Sequence, residues 1–259
     1  LVYDEIEFEI ILNEINGMKY EIIGAGSNFL IRDSGFNGIL FKLGKNFNKI
    51  ERSDNLLTVG AGILDVNLAK YAELNNIKNF EFYTGIPGSI GGAVKMNAGC
   101  YGSETKDILI GINTINHLGE FKYYNKENLN LDYRHSNVPK GNIILSADFI
   151  NENGEKNEIK EKMKNIKYKR ENSQPIKSKT SGSSFKNPKN NYAAKLIEQS
   201  GCKGLSLGDA YVSQKHANFL INNGKASATE IEDLGKLIIE RVYNKFNINL
   251  EWEIKIIGN

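Results

Sequence analysis

The sequence predicts an α+β fold with at least two sub-domains and a division into three. Three observations carry this. Short strand-like apolar runs and helix-period runs are mixed along the chain without regular alternation. Composition shifts near Asn151 from short apolar runs to a Lys/Glu-rich stretch. Between them lies a dense glycine-bearing segment, Thr84 to Gly99.

The elements follow in order. Asp4 suits a helix N-cap, Phe8, Ile11, Leu12 and Ile15 fall at helical spacing, and Gly17 suits the C-terminal cap. Met18 to Ile23 reads as a strand ending in Gly24-Ala25-Gly26-Ser27-Asn28, and Gly38 to Leu43 as a second strand after the turn at Ser34-Gly35. Leu56 to Val59 predicts a strand, Gly60-Ala61-Gly62 a turn, and Leu64 to Asn75 an amphipathic helix on Leu64, Leu68, Tyr71 and Leu74. Residues 108–150 predict several strands with turns at Leu118-Gly119 and Lys140-Gly141. Residues 155–170 read as a solvated helix on Ile159, Met163 and Ile166. Residues 171–191 are rich in Ser, Lys, Asn and Pro and read as loop. Tyr192 to Ser200 predicts a helix stopped by Gly201, and Ala217 to Ile221 a buried strand. Thr229 to Phe246 predicts a helix opened by a Thr229–Glu232 capping box. Leu250 to Ile257 reads as a last strand. No internal repeat or coiled coil is evident.

Composition excludes several classes. The 259 residues are 40% hydrophobic and 25% charged, ordinary for a globular chain and unlike a disordered one. Lys+Arg is 33 against Asp+Glu 31, a net charge of +2, which speaks against a dedicated nucleic-acid binder. No apolar run has the length of a membrane span, and the two cysteines, Cys100 and Cys202, form no CxxC pair, so a reducing cytoplasm and a soluble protein are expected. The three histidines lack metal-ligand spacing, so no metal is expected. The chain opens Leu1-Val2-Tyr3 without an initiator Met or a leader pattern, and is expected to begin inside a longer chain.

Several segments could carry chemistry. Gly24 to Asn28 could bring backbone N–H groups to a phosphate, although Phe29 stands where a dinucleotide fingerprint needs its third glycine and no Gly-Lys-Ser/Thr follows. Taken alone it is a tight strand-ending turn. In the second segment Gly85, Gly88, Gly91, Gly92 and Gly99 are interleaved with Ile86, Ile90, Val94 and Met96. So many glycines need a reason, and the apolar residues argue against a disordered linker, which points to a cradle of backbone donors. Arg134, within Tyr133-Arg134-His135-Ser136, is either a surface charge or a clamp for carboxylate or phosphate. Gly182-Ser183-Ser184-Phe185-Lys186-Asn187-Pro188 is either a flexible linker or a positioned hydroxyl, and no nucleophile elbow surrounds it. Glu251 and Glu253 share one side of the last strand, and nothing local singles out either. Cys100 reads most simply as a small packing residue.

Together these segments, with Arg170-Glu171, Ala194-Lys195-Leu196-Ile197 and Leu250-Glu251-Trp252-Glu253-Ile254-Lys255, resemble the UDP-N-acetylenolpyruvoylglucosamine reductase (MurB) family over nearly the whole chain. The resemblance implies a two-part FAD-binding region of the vanillyl-alcohol-oxidase type and a C-terminal α+β substrate-binding domain. The expected divisions are 1–46, 47–166, 167–248 and a closing strand 249–259. It implies FAD and NADPH as cofactors, a UDP-sugar substrate, a monomer, and no nucleic-acid or membrane partner. NADPH reduces the flavin, flavin N5 delivers hydride to the enolpyruvyl ether, and protonation gives UDP-N-acetylmuramate for peptidoglycan synthesis. Arg134 matches the catalytic arginine, Ser183 the proton donor and Glu253 the third catalytic residue. Cofactor contacts are implied for Gly24, Ala25, Gly26, Ser27, Asn28, Gly85, Pro87, Gly88, Ser89, Gly91, Gly92, Ala93 and Asn97, and substrate contacts for Tyr133, Asn187, Lys215 and His216.

Three departures stand out. The family begins about thirty residues earlier with a Thr-x-Gly-Gly-type turn, Lys255 stands where arginine is commoner, and the short spacing from Arg134 to Arg170 leaves no room for the tyrosine-bearing insertion, as in the shorter, second type. A flavin oxidase of the same superfamily and a non-catalytic nucleotide-binding module are the competing readings.

Overall fold

The computed structural model describes every residue except Asn16. The chain packs as two compact units, residues 1–25 with 38–168, and residues 26–37 with 169–259. In chain order, unit one takes α1 (Glu5–Glu14) and β1 (Tyr20–Ile22), and β2 (Phe29–Ile31) goes to unit two. Unit one resumes with β3 (Ile39–Phe41), β4 (Ile50–Arg52), β5 (Leu56–Gly60), α2 (Asp65–Leu74), α3 (Ile90–Lys95), β6 (Gly99–Cys100) and β7 (Ser103–Glu104). It continues with β8 (Leu109–Ile115), β9 (Phe121–Asn125) and β10 (Ile143–Ile150), and the division then falls within α4 (Lys156–Ser173). Unit two adds α5 (Ala193–Gln199), β11 (Ser206–Leu207), β12 (Ala210–Val212), β13 (Leu220–Asn222), α6 (Ala228–Phe246) and β14 (Lys255–Ile257).

In unit one, Asp4 caps α1 by accepting from Glu7 N–H at 2.8 Å, as its sequence predicts. β1 and β3 pair in parallel. Phe8, Leu12 and Phe41 pack with Ile115, Ile143 and Leu145 of the large sheet. That sheet is antiparallel, in the order β4-β5-β10-β8-β9. Its inner face, with α2 and α3, buries Leu57, Val59, Leu68, Ile90, Val94, Ile112 and Phe149. Each such side chain contributes about 1.5–3 kcal/mol by leaving water.

In unit two, α6 presents Leu234, Ile238 and Val242 to a core shared with Leu196, Ile197, Val212 and Phe185. β2 pairs in parallel with β14, Phe29 opposite Lys255. Residues 26–37 therefore belong to this unit by hydrogen bonding as well as packing. Arg32 makes a two-pronged bond to Glu232 at 2.9 and 3.1 Å. Asp33 accepts from the N–H groups of Ala228 and Thr229 and from the Thr229 hydroxyl.

Four expectations need correction. The capping box of α6 is Ser227–Glu230 rather than Thr229–Glu232. The earlier start prevails because Asp33 satisfies two first-turn donors that a later start would leave outside the helix. The sequence marks no strand at β2, β4, β6, β7, β11 or β12. The last strand begins at Lys255, because the chain bends at Ile254 after a bridge between Trp252 and Phe185. Residues 181–187 are no free linker: Ser183 bridges Phe219, and Ser184 and Phe185 are buried.

Candidate functional site

Unit one brings the first glycine turn against the second glycine segment. A Cβ on Gly24 would run into the Ser89 hydroxyl. Ser89 precedes α3, is buried, and makes no side-chain cap bond. The glycine segment is tied down from below. Ile90 N–H donates to Ile63 O, Gly91 N–H to Ala61 O, and Asp65 N–H to Gly88 O. Gly91 is close enough that a Cβ would lie 3.1 Å from that of Ala61, and a Cβ on Gly85 would lie 2.9 Å from Cys100 Sγ. Ala25, Pro87 and Gly92 are exposed, and a Cβ on Gly92 would meet only Ser89 Oγ, at 3.8 Å. A surface stripped of side chains, carrying a hydroxyl and backbone groups, fits a dinucleotide with its phosphates. Ala93 packs inward, and Gly26, Ser27 and Asn28 belong to unit two.

Asn97 takes a different place. It is fully buried with φ of 40°, donates to Glu104 Oε2 and Asp132 O, and accepts from Lys106 N–H. Its amide braces the loop that carries Tyr133 and Arg134. Arg134 has φ of 52°, donates to Gly99 O at 3.2 Å, and lies with its guanidinium 4.9 Å from the centre of the Tyr133 ring. A non-glycine residue held in the left-handed region is strained, and such strain clusters where a side chain must be aimed. Tyr133 is exposed; its N–H donates to Asp132 Oδ1.

Unit two gathers three segments that are far apart in sequence. Asn28 donates its side-chain N–H to Glu253 O at 3.1 Å, and its own O accepts from Lys255 N–H. Ser181 Oγ donates to Phe29 O, and Gly182, with φ of 81°, sits beside Ser27 O. Glu253 N–H donates to Ser184 O. Ser27-Asn28, Gly182-Ser183 and Glu253 are thus neighbours. Ser183 is half-buried, as is Glu253; Glu251 is exposed and pairs with Lys186.

The remaining residues lie on the same unit. Asn187 Oδ1 accepts from Ala193 N–H and steadies the start of α5. Lys215 donates to Glu171 O. His216 packs edge-on against Phe219, and its Nδ1 accepts from Asn218 N–H. Burial, and then the nearby Lys203, hold His216 below the ordinary histidine value, partly opposed by a backbone hydrogen bond. It is therefore neutral at pH 7. Among the described residues no group of His, Cys, Asp and Glu could hold a metal, and no helix is long and apolar enough to cross a membrane.

Comparison with known proteins gives the domains and the family of the chain. Residues 4–122 match the FAD binding domain family model, and residues 174–257 match the model for the UDP-N-acetylenolpyruvoylglucosamine reductase C-terminal domain. These matches and the fold define an FAD-binding oxidoreductase with an α+β C-terminal domain. The UDP-N-acetylenolpyruvoylglucosamine reductase of Rickettsia conorii is 47% identical over 241 residues, covering 93% of this chain and 82% of that protein. That of Rickettsia typhi is 46% identical over 235 residues, 91% and 80% of the two chains. The crystal structure of the reductase (MurB) from Thermus caldophilus superposes with a TM-score of 0.87 at 33% identity, over 99% of this chain and 91% of that one. The chain belongs to the UDP-N-acetylenolpyruvoylglucosamine reductase family.

Proposed function

We propose that this protein uses FAD and NADPH to reduce the enolpyruvyl ether of a UDP-N-acetylglucosamine derivative to UDP-N-acetylmuramate, a step in peptidoglycan precursor synthesis. What supports this reading most is the meeting in unit two of Ser27-Asn28, Gly182-Ser183 and Glu253, three motifs drawn from both ends of the chain. When bound and reduced, FAD would supply the hydride.

The chain's own residues do the rest. Gly24, Ala25, Ser89 and Gly92 offer the dinucleotide a surface of backbone and hydroxyl, with Gly85, Pro87, Gly88, Gly91 and Ala93 shaping the turn, while Asn97 braces the loop that carries Arg134. Gly26, Ser27 and Asn28 offer backbone and side-chain donors on unit two. Hydride addition to an enol ether leaves negative charge beside the substrate carboxylate. Arg134 offers fixed positive charge to that carboxylate, worth several kcal/mol in a dry site, on the order of one oxyanion-hole donor or more. Ser183 gives the proton. A hydroxyl is a weak acid in water, but the carbanion is a strong base and the serine is prepositioned. Glu253 assists as the charge develops. Tyr133, Asn187, Lys215 and neutral His216 hold the nucleotide sugar.

The test is the visible spectrum of the purified protein. A flavin band that bleaches with NADPH and returns anaerobically only with the enolpyruvyl sugar nucleotide is the expected result. Recovery only with oxygen would indicate an oxidase, and no flavin band after reconstitution with FAD would overturn the reading.

A further inference from the structure

Among the described residues, the buried side-chain oxygens without a hydrogen-bond partner are Asp65 Oδ1 and Oδ2, Glu81 Oε1 and Thr84 Oγ1. Native interiors rarely leave such atoms unpaired, so each calls for a reason. Thr84 directly precedes Gly85, and Asp65 lies against Gly88. A Cβ on Gly88 would stand 2.5 Å from Asp65 Oδ2. Asp65 is the first residue of α2 and is fully buried; its N–H donates to Gly88 O at 3.1 Å, and its neighbour Leu64 bridges Ser89. Backbone bond and carboxyl contact therefore fall on the same residue of the glycine segment. Both oxygens are closed off, so no ligand reaches them directly.

We propose that Asp65 is a positioning residue for the flavin dinucleotide: its carboxyl group, pressed against Gly88 from within the protein, holds the Gly85–Gly92 segment in the shape the cofactor meets. This rests on the FAD reading above. The carboxyl does this as a neutral acid. A helix start favours the charged form, but burial without a donor outweighs it and pushes Asp65 well above the ordinary aspartate value. Tyr83, on the 3-10 turn Glu81–Gly85 packed against α2, is the titratable group that feels Asp65; its hydroxyl is buried against Thr105 and pushed up in turn by burial and by Asp65. Glu81 on the same turn faces Lys162 instead, at 3.8 Å. Among the described residues no hydrogen-bond donor reaches either Asp65 oxygen to offset its burial. Ionisation would place an unpaired charge under Gly88 and loosen the segment.

The test uses Asp65→Asn and Asp65→Ala in the full chain. FAD affinity is titrated by flavin fluorescence from pH 5 to 9, and unfolding of the FAD-free protein is followed over the same range. Asp65→Asn, neutral and of the same shape, is expected to bind FAD within about threefold of the parent. It should also escape the weakening that the parent shows as pH rises through the raised Asp65 value. In the FAD-free protein its folding equilibrium should gain on the parent's by up to about tenfold per pH unit, while the acid is ionised only when unfolded. Asp65→Ala is expected to bind at least tenfold more weakly; should it not fold, the asparagine comparison still decides. Identical pH profiles for parent and Asp65→Asn, or a folded Asp65→Ala with parental affinity, would overturn the proposal. A parent that binds no FAD at any pH overturns the reductase reading and the cofactor half of this proposal together. Variants matching an FAD-binding parent in both readouts overturn this proposal alone.

Discussion

The glycine segment of unit one and the Gly182 turn of unit two use glycine for opposite reasons. Gly85, Gly88 and Gly91 all lie outside the left-handed region, and each sits where a Cβ would strike a neighbour: Cys100 Sγ, Asp65 Oδ2 and Ala61. Gly182 has φ of 81°, and the nearest atom to its missing Cβ, Ser27 O, is 3.9 Å away. In the first region the side chain is forbidden by its surroundings, and in the second by its own backbone. The first builds a surface by close packing. The second turns the chain so that Ser183 arrives beside Ser27 and the segment that carries Glu253.

The largest expected effect separates the two regions by chemistry. Ser183→Ala should slow flavin reoxidation by the enolpyruvyl sugar nucleotide by about 10²–10⁴-fold, the range of a lost general acid. Flavin reduction by NADPH should stay within about twofold of the parent. Stopped-flow absorbance of the two half-reactions reads both rates, and a parallel fall in the two would sink the proton-donor role. Next comes Gly88→Ala, which forces a methyl group into the Asp65 carboxyl. Overpacking of this kind costs about 1–3 kcal/mol, and FAD binding should weaken with stability. Adding Asp65→Ala should make the double variant less harmful than the sum of the two single ones. Strict additivity in urea unfolding would show that the contact is not what excludes the methyl.

Gly182→Ala is expected to cost about 1–2 kcal/mol through backbone strain alone. Its signature differs from that of Gly88→Ala: turnover falls while the FAD dissociation constant holds. A loss of FAD with turnover intact would dissolve the distinction between the regions.

Much of this division was legible in the sequence where the signal is local. Asp4 marks the start of α1, although the helix is capped at Ile15 rather than at Gly17; the glycine turns stand out by composition, and α6 shows its period through Leu234, Ile238 and Val242. What escaped is non-local. Phe29–Ile31 is three residues between turn-formers and becomes a strand only because Lys255–Ile257 lies beside it. Residues 26–37 join unit two through Asp33 and Arg32, whose partners on α6 are about two hundred positions away. Asp65 carries no mark of its own in the sequence; only the packing of Gly88 reveals a carboxyl without a donor. Ser183, Glu253 and Arg134 stood out through their joint resemblance to one family, because no single one carries a local mark of its chemistry.

The smallest expected effect concerns how unit two holds its inserted segment. Asp33 accepts from the Thr229 hydroxyl and from two N–H groups at the start of α6, and these bonds hold its carboxyl below the ordinary aspartate value. A depressed folded-state value means the unfolded chain takes up the proton first. The contribution of Asp33 is therefore present above about pH 3.9 and is lost as pH falls through the lowered value. Asp33→Asn should remove that acid-side slope and leave the slope above pH 5 unchanged. Because the group is exposed, the gap should be modest and should shrink with salt. Acid titration of the unfolding midpoint, parent against variant, checks this. A gap that persists below pH 3 would mean that Asp33 acts through shape rather than charge, and that charge is not what ties residues 26–37 to α6.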